Sequence, residues 1–379
     1  MSELQPTVHF PPRYERKLLG ILRPTQAASA VGALGLSLWC LGWVRGPFRL
    51  PLALLFIGVA LLLAVVQLRG FGIDEWIVHL ARWCQEVLML RFERARQTDA
   101  KVQLRTVMQV HAPDLHLLSA GQQVVDRSQF GLALAQLGAR SEGPIQLLTC
   151  RQHFLNTEVT EQLQLSSSEH QLVTLLIVAS GHDEAVTVFL QQLQGKQWAI
   201  GSSVETDRQI VATGRTREVH LGSTRTTSGW WSSATVRSFP ERPVALNFGL
   251  ALVVNPPFDC MALTIRVPSR SQFQRRLERR QTGSMADRGV LERRGFRRSA
   301  RAERQTEGRD SYETSLAAGS VPVEATMFFA MRGATRNALV KRQSSLLGLG
   351  STMEVEIATS FGRQRRVLGA LGNPREGIR

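Results

Sequence analysis

The stretch QLVTLLIVASGHDEAVTVFLQQLQGKQWAIGSSV, residues 171–204, decides how the rest of the chain is read. Residues 171–180 form a continuous apolar run rich in leucine, valine and isoleucine, the composition of a strand covered on both faces. Asp183 and Glu184 then open a helical segment that runs to Gly195, with acids where the helix dipole favours them and glycine where helices stop. A second strand near residues 198–204 completes a β-α-β rhythm. Outward from this stretch the rhythm recurs twice. Residues 101–111 read as a strand, 126–138 as a helix with Asp126 at its N-cap, and 144–153 as a strand; 321–331, 335–347 and 352–360 repeat that order. The three units share a plan without a residue-level repeat, so the expected fold class is α/β in layers, with α+β as the alternative. Between the second and third units lie a Ser/Thr/Gly-rich stretch, 213–233, and a strand pair near 234–239 and 259–267.

The first hundred residues read differently. Residues 25–44 and 50–68 carry no formal charge, and each is long enough to cross a bilayer, so a two-helix transmembrane hairpin is expected at 25–68. Buried core helices are the competing interpretation. Arg13, Arg16, Lys17, Arg23, Arg69 and Arg82 flank the runs, against Arg45 and Arg49 in the link, which predicts that both termini and the main domain lie in the cytoplasm. Ile73, Trp76, Ile77, Leu80, Trp83, Cys84, Val87 and Leu88 recur at spacings of three and four, an amphipathic helix within 69–100. Trp76 and Trp83 suit the membrane interface, and a stripe facing the protein's own core explains the spacing equally well. The remaining boundaries are a basic segment at 1–24, an α/β domain at 101–265, a basic arm at 266–310 and a strand-helix-strand unit at 311–379 that completes the domain.

Across 379 residues the net charge is +15, which calls for an anionic partner: a lipid bilayer, an acidic protein or nucleic acid. The arm at 266–310 holds fourteen basic and six acidic residues, more than half of the net excess. Arg275, Arg276, Arg279, Arg280, Arg293, Arg294, Arg297 and Arg298 are its partner-contact candidates, and the indoles of Trp230 and Trp231 form a second candidate patch. Phe273 and Phe296 are the arm's only stacking surfaces, so a protein or lipid dock is favoured over nucleic acid. Catalytic machinery is not expected. No GxxxxGK[ST] loop exists to cradle a triphosphate, the eight histidines form no HExxH, and there is no GxSxG elbow. Cys40, Cys84, Cys150 and Cys260 have no metal-ligand spacing, and reduced thiols are expected; neither a cofactor nor a metal is anticipated.

RYERKLLGILRPTQ (13–26), the two uncharged runs and GIDEWIVHLARWCQEVLMLR (72–91) resemble the N-terminal region of PrgI-type conjugation proteins and are similar to the EccE component of actinobacterial type VII secretion. WWSSATVRSFPERPV (230–244), VPVEATMFFAMRGATRNALVKRQSSL (321–346) and the Gln-containing ATSFGRQRRVLGALGNP (358–374) extend the resemblance over nearly the whole chain. Leu371-Gly372 stands where a Leu-Pro pair would be expected. The resemblance implies a non-catalytic structural subunit of a type IV-like or type VII apparatus, whose domain docks other subunits including a separate motor ATPase and can form a homo-oligomer. A membrane-tethered enzyme with an unrecognised α/β site and a membrane-anchored DNA-binding protein are the alternatives from other classes.

Overall fold

The computed structural model describes residues 7–8, 24–43, 51, 54–56, 58, 67–68, 71–95, 105–111, 120–141, 143–165, 172–179, 183–193, 199–240, 244–245, 256–269, 271–273, 275, 278, 314 and 323–373. Helices α1 (Pro24–Trp43) and α2 (Ile73–Ala95) precede the sheet. Then follow β1 (Arg105–His111), α3 (Ala120–Arg140), β2 (Ile145–Arg151), α4 (Thr157–Gln162), β3 (Leu172–Ala179), α5 (Asp183–Leu193) and β4 (Ala199–Thr206). The second half contains β5 (Thr216–Val219), β6 (Thr224–Thr226), β7 (Gly229–Ser238) and β8 (Cys260–Arg266). It closes with β9 (Glu324–Gly333), α6 (Arg336–Thr352), β10 (Glu356–Thr359) and α7 (Gln364–Gly369).

These ten strands join one sheet in the order β4-β1-β3-β2-β8-β9-β7-β6-β5, with β10 on the far half of β7, while two short pairs, 7–8 with 244–245 and 67–68 with 71–72, lie outside it. Every pairing in it is antiparallel, so the fold is mixed α/β around a large antiparallel sheet. The expected β-α-β units are present, and each is split by a strand from elsewhere. The order β4-β1-β3-β2 is that of a β-α-β-β-α-β motif. The strand order β10-β7-β9-β8 repeats it from the other end of the sheet, and the two halves meet where Cys150 on β2 lies opposite Cys260 on β8. Alternation along β8 divides the core. Leu263 and Ile265 pack with α3 and α5, Met261 packs with α6, and Cys260 and Ala262 face the other side. That other side is covered by Phe154, Val159 and Leu163, by Ile210 and Val211, and by Leu368, Ala370 and Leu371 of the C-terminal segment. Cys84, Cys150 and Cys260 are free thiols, and a hydrogen bond to Cys150 followed by burial pushes the Cys260 thiol well up.

Several boundaries differ from expectation. Asp126 lies inside α3, which begins at Ala120. The pair proposed for 234–239 and 259–267 is separated by β9, and the polar stretch 213–233 contributes β5, β6 and the start of β7. Threonine accounts for that difference, since its branched side chain fits a pleated surface as well as valine does. Gly372 has φ +78°, which no proline can adopt, and a Cβ there would press to 2.8 Å from Ile210, so glycine at this position follows from the backbone.

The membrane placement is corrected. Among the described residues, no helix is long and apolar enough to cross a membrane, which conflicts with a multi-pass protein. The expectation rested on the absence of charge, and absence of charge is not apolarity. Thr25, Gln26, Ser29, Gly32, Gly35, Ser37 and Gly42 dilute the 20 residues of α1 with small and polar groups. Of the second run only residues 51, 54–56 and 58 are described as helix, and 67–68 is a short strand paired with 71–72.

One charged contact fastens the second half. Asp259 is 4% exposed and accepts from the Arg332 amide at 2.6 Å and from both terminal nitrogens of Arg342 at 2.7 and 3.0 Å, with Arg151 Nε at 3.7 Å. This ties β9 and α6 to the edge of β8 with bidentate geometry. Asp259→Ala should lower the unfolding free energy by about 3–5 kcal/mol in urea titrations, because it strands a guanidinium and a buried amide together. A loss below about 1 kcal/mol would show that the pair is merely superficial.

Candidate functional site

Helix α2 has two apolar edges, and the fold uses one. Trp83 donates its indole N–H to Val219 O at 3.1 Å, on edge strand β5. Trp76 packs on Phe361 with ring centroids 5.0 Å apart, and Glu75 lies 3.8 Å from Arg237 of β7. Glu86 accepts from the backbone amides of Arg365 and Arg366 at 3.4 and 3.3 Å. The two tryptophans expected at the membrane interface thus face the domain. The turn that receives α2 depends on Gly362, whose φ is +67° and whose missing Cβ would sit 2.1 Å from His79 O. Any side chain there would push the helix away.

A second edge of α2 stays exposed among the described residues, and α1 approaches the helix. Ile77, Leu80 and Leu88 are 55%, 51% and 52% exposed, and Cys84 between them is exposed as well. They fall on one stripe at spacings of three and four.

Between α2 and the C-terminal turn opens a cavity of about 510 Å³. Arg82, Glu86 and Met89 of α2 form one wall, Arg363, Arg365 and Arg366 a second, and Gln209, Thr213, Thr216 and Thr226 a third. The turn is aimed by Gln364, which is wholly buried. Its Oε1 accepts from the Ser233 amide at 2.6 Å and from Ser233 Oγ at 2.9 Å, and its Nε2 donates to Ser360 O at 3.0 Å. Gln146, also wholly buried, holds the following residues by donating to Ala370 O at 3.0 Å and accepting from the Gly372 amide at 2.7 Å. Burial, then the charges of Arg82 and Arg366, hold the Arg363 guanidinium below its ordinary pKa. Burial raises the Glu86 carboxyl despite the two amides it accepts.

The other candidates fall elsewhere. Trp231 is fully buried, donating to Ser228 Oγ at 3.0 Å and edge-on to Phe154 at 5.3 Å, so it is core and offers no contact patch. Trp230 is half-buried beside His220 and under the Arg225 guanidinium. Arg275 is exposed in a helical stretch, while Arg276, Arg279, Arg280, Arg293, Arg294, Arg297 and Arg298 lie outside the described residues. Among the described residues no group of three or more His, Cys, Asp or Glu side chains could hold a metal ion. The guanidinium cavity was missed in the sequence because its arginines come from segments almost 300 residues apart, and only the pair at 365–366 is adjacent. No family model matches the chain, and no curated protein matches it.

His79 supplies a pH test of the α2 contact. Burial, aided by Arg82 and later by Arg237 and Arg363, lowers its pKa from 6.5, with Glu75 opposing. A lowered histidine contributes stability that is complete above 6.5 and is lost as pH falls through the lowered value. The raised Glu86 acts with opposite sign, its contribution being lost as pH rises through its own raised value. The unfolding midpoint should therefore fall as pH drops from about 7.5 to about 5.5, and His79→Gln should flatten that limb. An equally steep limb in the variant would place the titration elsewhere.

Proposed function

We propose that the chain is a non-catalytic structural subunit of a bacterial secretion or conjugation apparatus, of type IV-like or type VII kind, and that it docks other subunits such as a separate motor ATPase. The observation that carries this reading is the pair of faces on α2. One face is committed to the domain through Trp76, Trp83 and Glu86, and the other presents Ile77, Leu80, Cys84 and Leu88 to solvent on a helix already held rigid. A rigid helix with a free apolar stripe suits helix-in-groove recognition, since it has little ordering cost left on binding. The resemblance of residues 13–26, 72–91, 321–346 and 358–374 to PrgI-type and EccE-type proteins supports the same assignment.

Leu80→Glu combined with Leu88→Glu should leave the unfolding midpoint within experimental spread, because both side chains are half exposed. Recovery of partner subunits in a pull-down from the native host should fall about tenfold or more. Undiminished recovery would remove the stripe from the interface and this reading with it.

A further inference from the structure

We infer that the cavity between α2 and the C-terminal turn binds a small phosphorylated ligand with a polar body. Four arginines, Arg82, Arg363, Arg365 and Arg366, line it against a single carboxylate, Glu86, whose oxygens accept from the amides of 365 and 366. Among the described residues no ion pair engages the guanidinium groups of Arg82, Arg363 or Arg366, and Arg363 Nε is buried without a hydrogen-bond partner. Like charges gathered in a cleft with one opposing acid repel one another. The lowered basicity of Arg363, attributed after burial to Arg82 and Arg366, reports the same crowding. An entering anion relieves it, and the relief adds to the binding free energy.

The chemistry selects phosphate. A carboxylate carries one negative charge and would leave most of the excess uncompensated, whereas a phosphomonoester carries about −1.5 to −2 near neutral pH and offers three oxygens to forked guanidinium donors. At about 510 Å³ the cavity exceeds what a bare phosphate fills and lies within the usual range for small-ligand sites. Its third wall, Gln209, Thr213, Thr216 and Thr226, is neutral and rich in hydroxyl and amide groups, which fits a sugar-like body better than an apolar one. Both charged walls are fixed before any ligand arrives, one by the Gln364 anchor and the other by the Trp83 hydrogen bond.

Calorimetric titration of the full chain with ribose 5-phosphate and with ADP tests this, using adenosine and tri-glutamate as controls. Saturable binding of at least one phosphate probe is expected, with none for adenosine and weaker binding of tri-glutamate. Arg82→Gln and Arg363→Gln should each weaken the phosphate probe about tenfold or more, as for loss of a charge-assisted bond. Glu86→Gln, which keeps an acceptor for the two amides and removes the negative charge, should tighten it several-fold. A misfolded variant cannot mimic that gain. Absence of saturable binding by either phosphate probe, equal affinity in the Arg82 and Arg363 variants, or tighter binding of tri-glutamate would each overturn the inference, the last in favour of an acidic peptide.

Discussion

Gln364 makes four hydrogen bonds in a place where water cannot replace them. A buried amide side chain is costly unless satisfied, and here its carbonyl and one N–H are bound to β7 and to the residue that ends the β10 ladder. The constraint fixes the path of residues 360–366. Because that path is fixed, Phe361 meets Trp76, Gly362 passes under His79 O, and the amides of 365 and 366 meet Glu86. Remove the anchor and α2 has no surface shaped to receive it. Gln146 repeats the device one turn later, tying the chain end across to β2 in the first half of the sheet.

The same geometry explains how so much positive charge is held in one cleft. Arg363 lies on a turn that a buried glutamine and a positive-φ glycine hold in place, which sets its backbone close to Arg82. Strain of this sort persists where the surrounding packing over-determines the backbone, and it concentrates at binding sites. Helix α2 acts as a shared wall. Its inner face completes the cavity, and a second edge carries the apolar stripe.

Much of the sheet was legible in the sequence, because continuous apolar runs such as 172–179 survive any topology. Thr335, Asp183 and the strands at 145–151 and 324–333 stand close to where spacing placed them. Strand order was not legible. Pairing depends on contacts between residues more than 100 apart, such as Cys150 with Cys260, and local pattern carries no record of them. The threonine-rich strands at 216–226 read as loop because polarity outweighed β-branching. The α2 pattern was visible but ambiguous, since eight apolar positions at helical spacing describe two faces as readily as one. Trp83 and Leu80 are three residues apart, yet one is bonded to β5 and the other is half exposed. The arginine cavity was hidden for a related reason: Arg82 and Arg363 become neighbours only when Gln364 aims the turn.

Hydrogen exchange on the Gln364→Leu variant tests this dependence most directly. The substitution keeps bulk and removes the four hydrogen bonds, leaving the Ser233 amide unpaired. The account predicts that amides of α2 lose protection by about tenfold or more while those of β1, β2 and β3 largely keep theirs, since α3 and α5 cover one face of those strands and Gln146 still holds residues 370 and 372 on the other. Protection of α2 at the wild-type level in that variant would contradict it.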